Sequence, residues 1–204
     1  MTIQLHRAVC TLILTCFSLG SAMAMEVAGV KLDDTIRVAN QDLKLNGAGV
    51  RYKAIFKVYV AGLYLSEKKT NVADVLAAPG ARRVTIVPMR DLSSEEFGRA
   101  FMSGIQKNSD KAEKSKLIMQ LQKFGEVFAS VPELRKGDVL TVDWLPGSGT
   151  IIHINGKKVS DVLPDIAFYN AILKIWLGDN PADSRLKPLM LGEKPEENSR
   201  GNSY

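Results

Sequence analysis

Cysteine and histidine are scarce in this sequence. The 204 residues contain two cysteines and two histidines, and Cys10, Cys16 and His6 all lie within the first 24 residues. The rest of the chain therefore has no thiol for a disulfide, a nucleophile or a thiolate metal site. Its single histidine, His153, excludes a zinc site built from histidine and cysteine and leaves a serine hydrolase only one imidazole. We expect neither a metal nor a cofactor.

Two short glycine-containing segments also lack the residues that catalysis or phosphate binding requires. Residues 147–149, Gly-Ser-Gly, are too short to match the G-x-S-x-G turn of hydrolases, and a loop explains them. Gly156 and Lys157 do not form a phosphate loop, because Lys158 stands where a serine or threonine is needed. Neither segment therefore indicates an enzyme of these classes.

Long runs of one charge are absent as well. The formal net charge is +5, but the lysines and arginines are spread along the chain and never exceed two in a row. A protein that binds nucleic acid usually concentrates its basic residues in a stripe or patch. We therefore expect no nucleic-acid partner, although mild attraction to acidic ligands or anionic headgroups is compatible with this charge.

The first 24 residues have the pattern of a secretory signal peptide. Arg7 precedes an apolar run over residues 8–19, and the segment ends in Ala22-Met23-Ala24. The apolar run is shorter than the roughly 20 residues of a membrane-spanning helix, so we expect cleavage after Ala24 and no stable membrane anchor. The mature protein is then periplasmic or secreted. We expect one domain over residues 25–193 and a disordered polar tail over residues 194–204.

The periodicity of apolar residues predicts an α+β protein. Ser93 and Glu96 match a capping box at the start of a helix, and Asn155-Gly156 is a strong hairpin signal. Strands followed by central helices, further strands and a last helix are typical of a sheet with helices on one face. The predicted strands are 27–38, 43–65, 83–89, 139–145 and 150–154, and the predicted helices are 93–107, 110–131 and 164–177.

The segment over residues 47–66, GAGVRYKAIFKVYVAGLYLS, combines apolar alternation with several cations. Its even positions predict a buried face, whereas the odd positions include Arg51, Lys53, Lys57 and Tyr59. An arginine beside apolar surface suits a carboxylate or phenolate, and a tyrosine hydroxyl can add a hydrogen bond. The alternative is that Arg51 pairs with an acid of the fold and Tyr59 only packs.

This segment resembles the GxGxR and F-K-x-x-x-x-G-x-Y-L motifs of the chalcone isomerase family. Three later blocks are similar to further motifs of that family and follow in the same order. They are RDLS at residues 90–93, QKFGEVF at residues 122–128, and the closing helix at residues 172–178. The resemblance implies an open-faced β-sandwich with a large antiparallel sheet, helices on one face, and a ligand cleft between sheet and helices.

The family includes plant enzymes that close chalcones to flavanones, plastid fatty-acid-binding proteins and secreted bacterial relatives. By resemblance, Arg51 holds the anionic oxygen of the ligand, and Tyr59 stands where the fatty-acid binders carry a tyrosine on the carboxylate. Phe97, Gly104 and Ile175 replace polar residues of the enzymes, and Phe101 shares the apolar stripe of Phe97. The chain thus departs from the enzyme pattern at four of five positions.

These departures make the implied cleft more apolar, because the replaced residues would orient water and stabilise charge on a ketone. The resemblance therefore implies non-catalytic binding of a fatty acid or similar amphiphilic carboxylate at Arg51, Tyr59, Phe97, Phe101, Gly104 and Ile175. Two alternatives stay open: a residual isomerase or lyase acting on a phenolic substrate, and a partner-binding protein of the cell envelope.

If Arg51 and Tyr59 both bind the carboxylate headgroup of one ligand, their side chains must lie close together. In one uninterrupted strand, Arg51 and Tyr59 would be roughly 26 Å apart, at about 3.3 Å for each residue. The two side chains can meet only if the chain bends or forms a hairpin near residues 53–56.

Overall fold

The computed structural model describes residues 24–195, which form eleven strands and six helices. The strands are β1 (Ala24–Val27), β2 (Val30–Asp33), β3 (Thr35–Val38), β4 (Gln41–Lys53), β5 (Phe56–Leu65), β6 (Arg82–Pro88), β7 (Leu92–Ser93), β8 (Glu133–Leu134), β9 (Leu140–Leu145), β10 (Gly149–Ile154) and β11 (Lys157–Lys158). The helices are α1 (Val72–Ala77), α2 (Ser94–Asn108), α3 (Lys111–Lys116), α4 (Ile118–Ser130), α5 (Ile166–Leu177) and α6 (Leu186–Met190).

Seven strands form one antiparallel sheet in the order β11-β10-β9-β6-β5-β4-β3. Helices α2, α4 and α5 contribute their apolar faces to the main core on one side of this sheet, with Phe124, Phe168 and Trp176 among its largest buried side chains. The predicted α+β class, with a large antiparallel sheet and helices on one face, is confirmed.

Strand β5 is buried on both of its faces. Tyr59 and Leu63 belong to the core beneath the helices, whereas Val60 and Tyr64 pack in a second cluster with Leu32 of β2. The prediction that only the even positions of this segment form the buried face was therefore wrong. A central strand that is covered on both sides shows a continuous apolar run rather than alternation.

The long predicted strand over residues 43–65 is in fact the hairpin of β4 and β5. Its turn falls at Ala54 and Ile55, where Ala54 has a positive φ of 56°, and Lys53 pairs with Phe56. Ala54 and Phe56, predicted to be buried, are exposed at this turn, and 66% of Phe56 is accessible. The bend that a shared headgroup site requires is therefore present.

Glycines in β4 allow a helix to lie directly against the strand. A Cβ atom at Gly47 would overlap the carbonyl oxygen of Leu189, and one at Gly49 would lie 2.6 Å from a methyl group of the same leucine. Helix α6, which the sequence did not predict, packs there. The GxGxR motif thus has a packing reason, since only glycine leaves room for α6.

Helix α2 begins as predicted, with the Ser93 hydroxyl accepting a hydrogen bond from the Glu96 amide. The Glu96 carboxylate does not complete the capping box, because it binds Arg90 instead. A complete capping box is formed by Asp110 and Glu113 at the start of α3.

The two later predicted helices differ from the structure at their ends. The helix predicted over residues 110–131 is divided at Leu117 into α3 and α4. The last predicted helix starts later than expected, because Asp165 caps the N-terminus of α5 and Pro164 precedes it. The predicted Asn155-Gly156 hairpin joins β10 to β11, and both of its residues have positive φ.

Two predictions concern residues mainly outside the described range. The signal peptide lies outside it except for Ala24, where β1 begins, and the tail lies outside it beyond residue 195. Within residues 24–195, every helix is too short or too polar to cross a bilayer.

Candidate ligand-binding cleft

A cavity of about 270 Å³ lies between the β4–β5 hairpin and helices α2 and α5. Five of the six residues predicted to bind a ligand line it, and Gly104 does not. The lining residues are Arg51, Lys53, Val58, Tyr59, Leu92, Glu96, Phe97, Arg99, Ala100, Phe101, Ile175 and Ala182.

Arg51 and Tyr59 meet across the hairpin. They are direct partners in the antiparallel register of β4 and β5, so their side chains point to the same face of the sheet. The guanidinium carbon of Arg51 lies 5.3 Å from the centre of the Tyr59 ring, which is within the range of a cation–π contact. The hairpin thus places both predicted headgroup residues in one wall of the cavity.

The Arg51 guanidinium forms no ion pair within residues 24–195, and its buried Nε atom has no hydrogen-bond partner there. Two acids of the region are bound to other arginines. Glu96 pairs with Arg90 at 2.5 Å, and Asp183 pairs with Arg185 at 3.2 Å. The hydrogen bond from Arg90 also lowers the pKa of Glu96, so this carboxylate stays charged and engaged. Among the described residues, no acid therefore forms an ion pair with Arg51, although the Arg51 charge also contributes to the lowered pKa of Glu96.

The Tyr59 hydroxyl is buried against helix α5. It accepts a hydrogen bond of 2.8 Å from the indole nitrogen of Trp176 on α5. Burial raises the pKa of the Tyr59 phenol, an effect that Arg51 and the Trp176 hydrogen bond partly offset. The phenol is therefore neutral at ordinary pH. Because this indole is its one hydrogen-bonding partner within the described residues, the hydroxyl proton remains available for a ligand oxygen.

The remaining inner wall is apolar. Phe97 and Phe101 of α2 are buried with their ring centres 5.6 Å apart, and Phe101 packs edge-on against Trp176. Ile175 of α5 completes this wall. None of these three lining side chains carries a polar group that could orient water or hold a ketone. The hydrogen-bond donors of the cavity lining are therefore Arg51, Lys53 and Tyr59 of the hairpin and Arg99 of α2.

Gly104 is the one predicted site residue that does not line the cavity. It lines a recess next to the cavity, and the two share Arg51, Ala100 and Ala182. A Cβ atom at Gly104 would lie 2.8 Å from a methyl group of Ile175. Gly104 therefore allows α2 to approach α5 closely and so sets the position of Ile175 in the cavity.

Several residues of the cleft were not predicted. Trp176 could have been found from the sequence, because it directly follows the predicted site residue Ile175 and a buried indole N–H needs a hydrogen-bond acceptor. Glu96 and Arg99 of α2 reach the rim, but their sequence context indicates only a helix start with an i, i+4 ion pair between Glu95 and Arg99. Within the described residues, no three His, Cys, Asp or Glu side chains are placed to hold a metal ion.

This arrangement can hold an anion at one end of an apolar pocket. Arg51 supplies a charge, Tyr59 supplies a neutral hydroxyl donor, and aromatic and aliphatic side chains exclude water beyond them. The chemistry that these groups support is recognition of a molecule with one anionic and one apolar end.

Comparison with known proteins agrees with this fold. The chain belongs to the chalcone isomerase-like family, whose sequence profile matches residues 24–192. Among solved structures it is similar to a fatty-acid binding protein of Arabidopsis thaliana, with a TM-score of 0.63 and 17% identity over 80% of this chain and 92% of that one. A search of curated protein sequences gives no significant match. The similarity at this level of identity establishes the shared fold.

Proposed function

We propose that this protein binds a fatty acid or a similar amphiphilic carboxylate without transforming it. The guanidinium of Arg51 binds the carboxylate, and the Tyr59 hydroxyl donates a second hydrogen bond to it. The alkyl chain then lies against Phe97, Phe101 and Ile175, away from water. Binding of this kind combines a charge-assisted hydrogen bond with burial of apolar surface.

The observation that carries this proposal is that Arg51, which forms no ion pair within the described residues, lines a cavity together with the apolar side chains of Phe97, Phe101 and Ile175. The Arg51 Nε atom is buried without a partner, and the nearby acids Glu96 and Asp183 are bound to other arginines. Because the Arg51 guanidinium forms no ion pair within the described residues, it can form a charge-assisted hydrogen bond with a ligand carboxylate, which is worth about 1.5–3 kcal/mol. The likeness to a protein named for binding fatty acids supports the same ligand class.

The cavity size favours a medium-length chain. At roughly 30 Å³ for each water-sized group, 270 Å³ accommodates about nine heavy atoms. A longer chain would extend through the cavity mouth or into the recess beside Gly104. The recess adjoins the cavity, because Arg51, Ala100 and Ala182 line both.

The apolar wall supports binding over isomerisation. An isomerase needs donors that stabilise developing charge on the substrate, and the loss of one such donor costs about a hundredfold or more in rate. Phe97 and Ile175 offer none. Turnover of a chalcone above its spontaneous rate, abolished by Arg51→Ala, would instead establish the isomerase alternative.

Native mass spectrometry with laurate tests the binding proposal. We expect a one-to-one complex that Arg51→Ala weakens by about 10- to 100-fold, as expected for the loss of a hydrogen bond to a charged group. Arg37→Ala is the matched control, since Arg37 is an exposed arginine of β3 that pairs with Asp42. Equal laurate binding by both variants, or none by the unaltered protein, would refute the proposal.

We further propose that the protein acts after export and begins at Met25. The basis is the signal-peptide pattern of the first 24 residues. Mass determination of the N-terminal peptide, using protein isolated from the native host, tests this. An intact Met1 on the functional protein would contradict it.

A further inference from the structure

The β4–β5 hairpin extends beyond its neighbours in the sheet. Its pairing with β6 ends at Tyr59 and Pro88, while β4 and β5 continue to pair with each other as far as Lys53 and Phe56. Strand β3 pairs with the opposite end of β4, at Gln41–Lys44. Residues 53–57, here named the hairpin tip, therefore project past the strands that flank them in the described sheet.

The hairpin tip exposes two large apolar side chains between two lysines. Ile55 is 82% accessible and Phe56 is 66% accessible. Lys53 and Lys57 flank them and are also exposed. Residues 51–57 contain three basic residues and no acidic one. Exposed apolar side chains flanked by basic residues are typical of segments that lie in the interface of an anionic bilayer.

The residues at the tip are not those that favour a tight hairpin turn. The turn between β10 and β11 of the same chain uses Asn155-Gly156, the residues that two-residue hairpins favour. The β4–β5 turn instead places Ala54 at a φ of 56°, which is unfavourable for a residue with a Cβ atom, and puts Ile55 beside it. Strain combined with exposed apolar side chains favours a function for the tip beyond folding.

The tip also lies at the cavity described above. Lys53 lines the cavity, and Phe56 is its direct partner in the register, so the exposed ring stands on the same face of the hairpin. A surface that the tip contacts would therefore be close to the cavity.

We propose that the hairpin tip docks this protein on an anionic lipid surface. Ile55 and Phe56 enter the region between headgroups and acyl chains, while Lys53 and Lys57 contact the phosphates. The cavity then opens toward the lipid, from which an amphiphile can enter. Docking holds independently of the proposed function, since it requires only the tip residues.

The size and charge of the tip favour a lipid surface over a protein partner. A stable protein interface buries about 1,200 Å² or more, whereas this tip offers two apolar side chains between two exposed lysines. Peripheral membrane binding needs only a small inserted apolar group together with electrostatic attraction.

Vesicle flotation tests the proposal. We expect the purified protein to float with vesicles of phosphatidylglycerol and phosphatidylcholine, and much less with phosphatidylcholine alone. The double variant Ile55→Ser, Phe56→Ser should bind about tenfold more weakly. The control is Ile118→Ser, Met119→Ser, which removes another pair of large exposed side chains, 61% and 71% accessible, from α4. This control should bind as the unaltered protein does.

A second pair of variants tests the charge. Lys57→Glu should weaken binding to the anionic vesicles, and added salt should weaken binding of the unaltered protein. Lys157→Glu is the control, because Lys157 is an exposed lysine at the other hairpin. Phe56→Trp should show a blue-shifted emission on mixing with the anionic vesicles.

Three results would overturn the proposal. The first is that the unaltered protein floats with neither kind of vesicle, and the second is that the Ile55, Phe56 variant floats as well as its control. The third is that the same variant converts a dimer to a monomer, which would identify a second copy of the chain as the partner. Laurate binding, measured in parallel without vesicles, reports separately on the proposed function.

Discussion

Arg51 and Tyr59 are eight positions apart in the sequence and face each other across a hairpin, with the guanidinium carbon 5.3 Å from the ring centre. The Tyr59 hydroxyl is in turn held by the indole of Trp176, 2.8 Å away. This relationship links the hairpin to helix α5 and gives the cleft one cation and one fixed hydroxyl.

Arg51→Leu should leave the free energy of unfolding unchanged within about 1 kcal/mol, because the lost cation–π contact is offset by removal of an unpartnered buried donor. Arg83→Leu is the contrasting variant in the same sheet. Arg83 binds the buried Asp143 through two hydrogen bonds, and its loss should cost about 3 kcal/mol or more. Urea denaturation measures both. A large destabilisation by Arg51→Leu would show that Arg51 is structural.

Tyr59→Phe should destabilise the protein by about 1–3 kcal/mol, since it leaves the Trp176 indole N–H buried without an acceptor. It should also weaken laurate binding. Tyr169→Phe is the matched control, because the Tyr169 hydroxyl is buried with no hydrogen-bond partner within the described residues. That control should be neutral or stabilising. Equal losses in the two variants would contradict the assigned role of the Tyr59 hydroxyl.

Stability should fall in alkaline solution. Burial raises the pKa of Tyr59 above its ordinary value of 10 in the folded protein, and burial raises the pKa of Tyr64 to about 12. The folded protein therefore holds these protons more tightly than the unfolded chain. The contribution of these two phenols to the free energy of unfolding is complete below pH 10, and it is lost as the pH rises through their folded-state pKa values.

The measurement is the unfolding free energy across this range. In Tyr59→Phe, the free energy of unfolding should decline less steeply with rising pH than in the unaltered protein, because the variant lacks one of the two phenols that lose a proton on unfolding. Parallel declines for the two proteins would show that Tyr59 does not contribute.

Gly104→Ala should destabilise the protein, because the new methyl group would be 2.8 Å from Ile175 and would push α2 away from α5. Gly125→Ala is the control, since a Cβ atom at that position of α4 meets no atom within 4 Å. This control should stabilise the protein by about 0.5–1 kcal/mol through helix propensity. Thermal unfolding of both proteins measures the difference, and stabilisation by Gly104→Ala would contradict the close packing.

Affinity should depend on chain length in two stages. Each methylene that enters the cavity should contribute up to about 0.8 kcal/mol, so hexanoate should bind more tightly than butanoate. The gain for each methylene should then fall for longer chains, because the cavity of about 270 Å³ is filled and further carbons reach solvent or the recess. Titration calorimetry with butanoate, hexanoate, laurate and palmitate measures this. A constant increment through palmitate would show that the cavity is larger in solution.

Local sequence signals predicted most of the sheet and its helices. The Ser93 cap and the Asn155-Gly156 hairpin were found where their local chemistry indicated, and Phe97 and Phe101 are buried on one stripe of α2 as expected. The bend near residues 53–56 followed only from the condition that Arg51 and Tyr59 bind one headgroup. Local sequence did not indicate it, because neither Ala54 nor Ile55 carries a turn signal. The exposure of Phe56 was missed for the same reason.

The interior of the cleft was predicted less completely. The family motifs led to Arg51, Tyr59, Phe97, Phe101 and Ile175, which the structure brings into one cavity. They did not reveal Trp176, which contacts Tyr59 only because α5 packs on β5. They also did not show that Gly104 acts through helix packing, since a glycine can serve a turn, a close approach or a ligand.

Composition and motif order alone establish that residues 25–204 contain no cysteine and one histidine, and that the motifs follow the chalcone isomerase-like order. These properties depend on residue type and spacing, which the sequence states directly. Whether Arg51 has an acidic partner depends instead on which carboxylates come within about 4 Å, and antiparallel pairing and helix packing control that distance. Only the folded chain shows Glu96 and Asp183 bound elsewhere and Arg51 free beside Tyr59 among residues 24–195.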